Sequence, residues 1–428
     1  MVLNKKNIQQ LLFSPWMIVA IALFFRLLYS FVILPHFFAG RDLESYGGYD
    51  RLAEQLVQGH GFTYSDGTIN LQRLPLYIVF LAGHYAIFGV VRYPVLFSQA
   101  LLGAFSAYLV WRLGGYLMAD RHAKVAALIY ALYPFAIWRN ANLLADVIMV
   151  PLLLMTLLSI VNIMQNKCIT RPWQYMFIGL QCALLTYTKP IAALLPIVFF
   201  ALIMVCGGGA RKNRYVGGIV LVCTYAVLLF PWVARNAVIT GKFPVLSDGS
   251  GFVRYAGIAY ADNFNFHEMS SRTLDAISIK QLGVLERQNG WILLQNPEMY
   301  SFKDDKEMSA YITRHYTVAE PLQTVRRYFQ NLGFYWFLAN DHWKSWLYLL
   351  IQVPFVLFAA ASFLRRSSRK KIHQLLLGIV VLYFWCLNSL ILGQVRYSDP
   401  VMPLILILAV SWWCYGAGDS FEKSQEAD

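Results

Sequence analysis

The chain has 428 residues, of which 58% are apolar and only 14% charged, and its mean hydropathy is +0.49. A soluble domain carries about 25% charged residues, so this composition excludes an ordinary soluble protein. Several apolar stretches approach ~20 residues, the length that spans the hydrocarbon core of a bilayer. The net charge of +13 resides mainly in short loops between these stretches. Membrane orientation and anionic lipid therefore explain it better than nucleic acid does.

Ten apolar stretches are candidate membrane helices. They are residues 15–37, 93–117, 122–138, 143–166, 173–188, 190–208, 215–234, 345–364, 372–393 and 398–416. The stretch 75–90 is short for a crossing and contains Pro75 and His84. If it does not cross, the loops richest in Lys and Arg lie on the same side as Lys5 and Lys6, which is the pattern of cytoplasmic loops. We therefore predict about ten crossings of the cell (inner) membrane, with both termini cytoplasmic.

Polar sequence concentrates in two segments that this arrangement places outside. In the first external loop, residues 38–92, the stretch "YDRLAEQLVQG" has Leu52, Leu56 and Val57 on one side and predicts a short interfacial helix. Residues 235–344 indicate an external domain of short helices and loops. We predict an all-α integral membrane protein with a transmembrane catalytic half (1–234), this external domain, and C-terminal helices with a cytoplasmic tail (345–428).

Carboxylates cluster just after the first candidate span. Asp42, Glu44 and Asp50 lie within nine residues of one another. One could act as a general base, because partial burial tunes the pKa of a carboxyl group and position decides which proton it reaches. The alternative is that they only solvate a loop. Asp146 opens an apolar run on the same predicted face, and could act with them, help hold a divalent metal, or only cap its helix.

Basic residues lie at the predicted outer ends of several apolar runs. These are Arg73, Lys189, Arg235 beside Asn236, and Arg396 beside Tyr397. One such cation is ordinary interfacial anchoring, whereas a convergent set could bind a lipid phosphate, because Arg offers a bidentate fork and Lys a point charge. Arg26 lies in the middle of the first span. A charge there is costly and usually faces a bundle interior or cavity, unless it snorkels to the interface.

The sequence lacks the common motifs for binding soluble nucleotides and catalytic zinc. It contains neither a Walker A loop, nor a glycine fingerprint on a strand–helix unit, nor an HExxH zinc motif. A site on the outer face would also have no access to cytoplasmic nucleotide sugars. A sugar donor for this chain would therefore be carried by a lipid.

Several stretches together resemble a known family. They are "YDRLAEQLVQGHGF", "QRLPLYIVFLAGHYAIFG", "YPFAIWRNANLLADV", "YTKP", "FPWVARNAVITGKFPVLSDGSG" and "VRYSDPVMP". Their order is similar to that of the polytopic GT-C glycosyltransferases, in the branch that contains protein O-mannosyltransferases and lipid A aminoarabinose transferases. The resemblance implies a GT-C-like helical bundle and transfer of a sugar from a polyprenyl phosphate to an outer-face acceptor.

The resemblance also implies roles for individual residues. The family commonly has an Asp four residues before the Tyr of its Tyr-Asp-x-Leu-Ala stretch, where this chain has Ser45. Asp42 is then the favoured base, with Glu44 and Asp50 behind it. Asp146 matches the second acidic position, which in the family sometimes works with a divalent cation, here Mg or Mn. No cofactor is established by the sequence.

The basic positions match the family in the same way. Lys189 matches the basic residue before a Pro that is consistent with holding the lipid phosphate, while Arg235, Asn236, Arg396 and Tyr397 imply support on the substrate side. The expected partners are a polyprenyl-phosphate-linked sugar, a glycan, lipid or protein acceptor, and membrane lipid, with no nucleic acid.

Other functions are also compatible with this sequence. A flippase for lipid-linked glycans would also need Arg26 and basic grooves, although the paired broken spans typical of transporters are not evident. A glycan polymerase or ligase would share the chemistry but usually concentrates its site in one large external loop. A non-catalytic assembly partner is the remaining alternative, because Ser45 replaces the usual Asp.

Overall fold

The computed structural model of the chain is almost entirely helical, which confirms the predicted fold class. It describes residues 14–37, 48–165, 171–207, 210–243, 246–247, 250–263, 284–285, 292–293, 305–339, 342–364 and 371–425. Asp42 and Glu44 lie outside these described residues. The segment that we predict to be external, residues 235–344, also holds a two-stranded antiparallel ribbon, formed by β1 (Val284–Leu285) and β2 (Ile292–Leu293). The sequence did not predict this ribbon.

The α-helices of the described residues are numbered in chain order. The first nine are α1 (Pro15–Leu28), α2 (Leu34–Phe37), α3 (Tyr49–Val57), α4 (Pro75–Phe88), α5 (Arg92–Gly114), α6 (Asp120–Leu132), α7 (Pro134–Asn140), α8 (Asp146–Gln165) and α9 (Pro172–Thr188). The others are α10 (Leu195–Cys206), α11 (Arg211–Thr240), α12 (Ser250–Asn263), α13 (Asp305–Ile312), α14 (Pro321–Phe334), α15 (His342–Ser362), α16 (Lys371–Ser389) and α17 (Met402–Gln425). Short 3₁₀ turns span Pro190–Leu194 and Val395–Val401.

Each of the ten predicted membrane stretches contains a helix. Within the described residues, seven helical segments are long and apolar enough to cross a bilayer: Pro15–Phe37, Arg92–Gly114, Asp146–Gln165, Arg211–Thr240, Trp343–Ser362, Lys371–Ser389 and Val395–Trp413. Two shorter apolar helices are Pro75–Phe88 and Pro190–Cys206. The chain is therefore an integral membrane protein, while the count of about ten crossings and their orientation stay predictions.

Prolines set where the helices begin and change direction. Pro15 occupies the first turn of α1, where its missing N–H costs nothing, and the Ser14 hydroxyl caps the helix by accepting from the Met17 N–H at 3.1 Å. Pro134 divides α6 from α7, and Tyr133 before it is extended, with φ −64° and ψ 113°. A proline disfavours helical backbone in the residue before it, so the chain turns here.

The predicted helix in the first external loop is confirmed as α3. Its apolar residues Leu52 and Leu56 pack on α4, in a cluster that includes Tyr77 and Leu81, while Val57 stays exposed. The left-handed backbone of Gly59, with φ +86°, follows the end of the helix. The apolar face of α3 is therefore largely used for packing on α4.

The bundle is built around α5, which packs against α1, α6 and α8. A second pair forms where α9 crosses α11, and α17 joins α15 to α6. One apolar core runs through these helices, with Leu153, Leu157 and Leu404 fully buried in it. Buried apolar contact of this kind holds membrane helices together mainly through close packing.

The crossing of α9 and α11 depends on a small residue. A methyl group added at Gly179 would lie 2.5 Å from the backbone oxygen of Leu221 and 2.9 Å from Cβ of Thr224. Small residues at such contacts let two helix backbones approach closely.

We predict that Gly179→Ala lowers the thermal stability of the purified protein, because overpacking costs about 1–3 kcal/mol when backbone must move. The matched control is Gly83→Ala in α4, where an added carbon meets nothing within 4 Å and alanine favours the helix. The unfolding midpoint in detergent should fall for Gly179→Ala alone. Equal midpoints for that variant and the wild type would contradict the close crossing.

Candidate functional site

A buried ion pair joins the two sequence-predicted residues Asp146 and Lys189. The Lys189 ammonium lies 2.5 Å from Oδ1 of Asp146, and both side chains are at least four-fifths buried. Lys189 follows α9 and precedes Pro190, which explains its extended backbone, with φ −148° and ψ 135°. The proline therefore ends the helix at the point from which the lysine reaches the start of α8.

A polar network holds the turn that leads into Asp146. The buried amide of Gln99, on α5, donates to the backbone oxygens of Asn140 at 2.7 Å and Asn142 at 3.1 Å. Its own oxygen accepts from the Tyr77 hydroxyl of α4 at 2.5 Å. Buried polar groups are costly unless they are paired, so these bonds fix the backbone between α7 and α8 and thereby the position of Asp146.

A second buried pair, between Arg139 and Asp399, was not predicted. Nε of Arg139, at the end of α7, lies 2.7 Å from Oδ2 of Asp399 in the 3₁₀ turn Val395–Val401. Gln352 of α15 supports this turn, since its amide donates to Ser398 at 2.8 Å while its oxygen accepts from Tyr133 at 2.7 Å. Burial of both charges requires such a partner, because a lone charge at this depth is strongly disfavoured.

Arg396 and Tyr397 lie between the two ion pairs, and their role on the substrate side stays a prediction. Arg396 donates to the Tyr397 hydroxyl at 2.8 Å, and the Lys189 ammonium lies 5.3 Å from the centre of the Tyr397 ring. Arg73 lies over a different ring, 5.5 Å from the centre of Tyr49. Two of the predicted cations, Lys189 and Arg396, therefore contact one tyrosine.

A cavity opens beside both carboxylates. Its walls include Asp146, Asp399, Arg139 and Asn140, together with Tyr130 and Gly103 further inside the bundle. The described lining carries two carboxylates and one cation, Arg139, and the ammonium of Lys189 lies beside it on Asp146. Charges in a confined, partly desolvated space act strongly on the polar groups of a ligand.

Arg26 is fully buried behind this cavity, which agrees with an interior position and excludes snorkelling. Its Nη1 donates to the backbone oxygens of Ala22 at 2.9 Å and Ala131 at 3.2 Å. The guanidinium lies 5.6 Å from the centre of the Tyr130 ring, and a side chain at Gly103 would overlap it. Arg26 therefore packs against residues that form the cavity wall.

Arg235 and Asn236 are held near the first external loop. Arg235 donates to Oδ1 of Asn236 at 2.7 Å and stacks on Trp232, with 4.7 Å between the guanidinium carbon and the ring centre. It also reaches the backbone oxygen of Asn70 at 3.4 Å. The side chain of Asn70 fixes the turn that carries Arg73, since it accepts from the Arg73 N–H at 2.9 Å.

Of the three first-loop carboxylates that we predict for the site (Asp42, Glu44 and Asp50), Asp50 alone falls within the described residues. Arg92 donates to Oδ2 of Asp50 at 3.1 Å, which ties the start of α3 to the start of α5. Burial raises the pKa of nearby Glu54, and the charge of Asp50 adds to this rise. Asp50 is therefore part of a structural contact, while the geometry of Asp42 and Glu44 lies outside the described residues.

The predicted divalent cation would need more carboxylates than the described part of the site provides. In the part of the chain that the structure describes, no group of three or more His, Cys, Asp or Glu side chains could hold a metal ion. Asp146 and Asp399 each face a cation instead. A Mg²⁺ or Mn²⁺ site would need carboxylates from the first loop, such as Asp42 or Glu44, and stays a prediction.

The two site residues that were not predicted, Arg139 and Asp399, lie in stretches that carry the family resemblance. Arg139 lies in "YPFAIWRNANLLADV" and Asp399 in "VRYSDPVMP". Both are charged residues flanked by apolar sequence, which is the signal that identified Arg26. The sequence could not show that Arg139 and Asp399 form a pair, because 260 positions separate them and only the fold brings them together.

Comparison with known proteins supports this fold. Residues 72–234 match the family model described as dolichyl-phosphate-mannose-protein mannosyltransferase. No curated protein matches the chain significantly in sequence.

Solved structures resemble the chain over most of its length. One is the archaeal oligosaccharyltransferase AglB from Archaeoglobus fulgidus, in complex with an inhibitory peptide and a dolichol-phosphate. It is 15% identical to this chain, with a TM-score of 0.57. The match covers 97% of this chain and 52% of AglB. The apo oligosaccharyltransferase of the same organism is 15% identical, with a TM-score of 0.54, covering 93% of this chain and 50% of that one. ArnT from Cupriavidus metallidurans bound to undecaprenyl phosphate is 14% identical, with a TM-score of 0.42, covering 93% and 76%.

The chain thus spans about half the length of the oligosaccharyltransferases. At these identities the likeness concerns the fold. The protein has the GT-C membrane fold, with a segment, residues 72–234, that matches the dolichyl-phosphate-mannose-protein mannosyltransferase family.

Proposed function

We propose that this protein is a membrane glycosyltransferase that moves a sugar from a polyprenyl phosphate to an acceptor hydroxyl on the outer face of the membrane. The observation that carries the proposal is the convergence of Lys189 and Arg396 on Tyr397, next to the carboxylate of Asp146. Two comparisons support it. The matching family model is described as dolichyl-phosphate-mannose-protein mannosyltransferase, and the AglB structure contains a dolichol-phosphate.

The cations would act on the phosphate of the donor. The bond that breaks joins the anomeric carbon of the sugar to a phosphate oxygen, and negative charge grows on the departing polyprenyl phosphate. Preorganised cations stabilise such charge most when they are shielded from water. Lys189 and Arg396 are held by Asp146 and Tyr397 before any substrate arrives, so little reorganisation is needed at the moment of reaction.

The carboxylates would act on the acceptor. We assign the base to Asp42, which takes the proton of the acceptor hydroxyl as its oxygen bonds to the anomeric carbon. Asp146 lines the cavity while its Oδ1 is engaged by Lys189, so its second oxygen would orient the acceptor. Direct displacement from the face opposite the phosphate inverts the anomeric centre.

The direct test is incubation of the purified protein in lipid vesicles with a polyprenyl-phosphate sugar and a mixture of cell-envelope acceptors. Release of polyprenyl phosphate together with glycosylated product supports the transferase. Movement of intact donor across the bilayer would instead identify a flippase. The absence of both reactions would count against this proposal.

Asp146→Asn should reduce transfer by about 100-fold, the cost of misplacing a reacting group, because it removes the carboxylate that orients the acceptor and holds Lys189. Asp120→Asn is the matched control, because Asp120 is largely exposed and pairs with Lys124 on its own helix. Initial rates of polyprenyl phosphate release measure both variants. Wild-type rates for Asp146→Asn would remove this carboxylate from the mechanism.

The first-loop carboxylates should separate by role. Asp42→Asn should abolish transfer, whereas Asp50→Asn should keep most of it and lower stability by up to about 1 kcal/mol, the usual value of a partly exposed ion pair. Activity and thermal unfolding of the two variants, measured side by side, check this. Loss of activity in Asp50→Asn at unchanged stability would transfer the role of base to Asp50.

A further inference from the structure

One face of helix α14 carries an exposed apolar stripe. Leu322, Val325 and Phe329 recur at the i, i+3, i+7 spacing of a single helix face, and their exposed fractions are 85%, 53% and 64%. Gln323 and Arg326, which lie beside the stripe and are also exposed, are polar. An exposed apolar stripe between polar flanks indicates contact with an apolar partner.

The opposite face of α14 is bound to the protein. Arg327, Asn331 and Phe334 recur with the same helical period, and each is at least nine-tenths buried. At about 100° per residue they lie across the helix from the apolar stripe. The guanidinium of Arg327 pairs with Asp262 and Glu320, both at 2.7 Å. One face thus fixes the helix on the protein, and the stripe points away from it.

The place of α14 along the bundle indicates what covers the stripe. The Trp385 indole N–H donates to the backbone oxygen of Leu332 at 2.8 Å, which joins the last turn of α14 to the membrane helix α16. Trp385 precedes the end of α16 at Ser389 by about one turn, or roughly 6 Å along the helix axis. The end of α14 therefore lies level with the end of a membrane-spanning segment, where hydrocarbon gives way to lipid headgroups.

Exposed tryptophans mark the same level of the bundle. Trp343 and Trp346, in the first turns of α15, are 58% and 42% exposed, and tryptophan is enriched where a membrane helix enters the headgroup region. The start of α15 and the end of α16 lie on the same side of the bilayer, because the short connection from Ser362 to Lys371 cannot return across it. Both markers place α14 at the surface of the bilayer.

We propose that α14 is an interfacial helix whose apolar stripe lies in the headgroup region of the lipid bilayer, so that lipid and not a second protein is its partner. Helices with one apolar face and polar flanks bind about 5–10 Å into the boundary between headgroups and acyl chains.

This contact would set the depth of the candidate site. The Tyr335 hydroxyl, just after α14, donates to the backbone oxygen of Tyr397 at 2.9 Å, and the Val395 N–H donates to the oxygen of Leu338 at 2.9 Å. The bilayer surface is thereby linked through α14 to the turn that carries Tyr397. That this depth matters for the donor phosphate is a consequence that rests on the proposed function.

Nitroxide labels on single cysteines measure the placement of α14 without any need for turnover. The full-length chain, with its six native cysteines replaced by alanine, is reconstituted in vesicles of phosphatidylcholine and phosphatidylglycerol. The labels are introduced through Leu322→Cys, Phe329→Cys and, as the matched control, Gln323→Cys. Labels at 322 and 329 should collide more often with lipid-soluble oxygen than with a water-soluble nickel complex. The label at 323, about 100° round the helix from 322, should show the reverse.

Two results would overturn the proposal. Predominant collision with nickel at 322 and 329 would place the stripe in water, and loss of both collision rates there would show that protein, such as a second copy of the chain, covers it. If the cysteine-free chain does not fold, crosslinking from benzoylphenylalanine at position 322 of the otherwise unchanged chain replaces the labels. Lipid adducts then support the proposal, and protein adducts or the absence of adducts contradict it. Failure of the proposed function would leave these results unchanged, because it appears as missing release of polyprenyl phosphate.

Discussion

The ion pair between Asp146 and Lys189 is the interaction on which the rest of the site depends. Two charges at this depth in an apolar bundle are stable only as partners, because each alone would be strongly disfavoured. Lys189 contacts Tyr397 from the other side, so the pair also ties the α8–α9 region to the 3₁₀ turn before α17. Arg139 and Asp399 repeat the arrangement nearby, and the two pairs form one network of charge.

Breaks in the helices produce this network. A continuous helix presents one set of side chains to its neighbours. The chain instead changes direction at Pro134, at Pro190 and in the 3₁₀ turn before α17, and all three breaks lie close to the two ion pairs. Each break is supported by buried hydrogen bonds, from Gln99 to the turn before α8 and from Gln352 to Ser398. The irregular backbone therefore lies where other protein groups, or a cavity, can satisfy its hydrogen-bonding groups. The bilayer requires this, because lipid offers no hydrogen-bond partners.

The segment of residues 235–344, which we predict to be external, is hydrogen-bonded to the same turn. The backbone N–H of Val395 donates to the oxygen of Leu338 at 2.9 Å, and the Tyr335 hydroxyl donates to the oxygen of Tyr397 at 2.9 Å. Further out, Arg327 of α14 binds Asp262 and Glu320. Burial alone would lower the pKa of Arg327, but these two carboxylates raise it. The helices after residue 250 can therefore influence the position of Tyr397.

Much of the fold could be predicted from the sequence, because hydropathy and prolines mark membrane helices directly. The start of α8 at Asp146 and the break at Lys189 follow from local residue patterns. The pairing of Arg139 with Asp399 could not be predicted, since it depends on how α7 and the turn before α17 meet in space. The packing of Leu52 on α4 was missed for the same reason, because an amphipathic pattern does not say whether lipid or protein covers the apolar face.

An experimental structure of the protein with polyprenyl phosphate bound is the most direct test of the central claim. We predict that the phosphate lies within about 4 Å of the Lys189 ammonium or the Arg396 guanidinium, the distance of a charge-assisted contact. Asp146 should remain paired with Lys189 beside it. A phosphate bound at the opposite end of the bundle, away from Asp146 and Tyr397, would contradict the account.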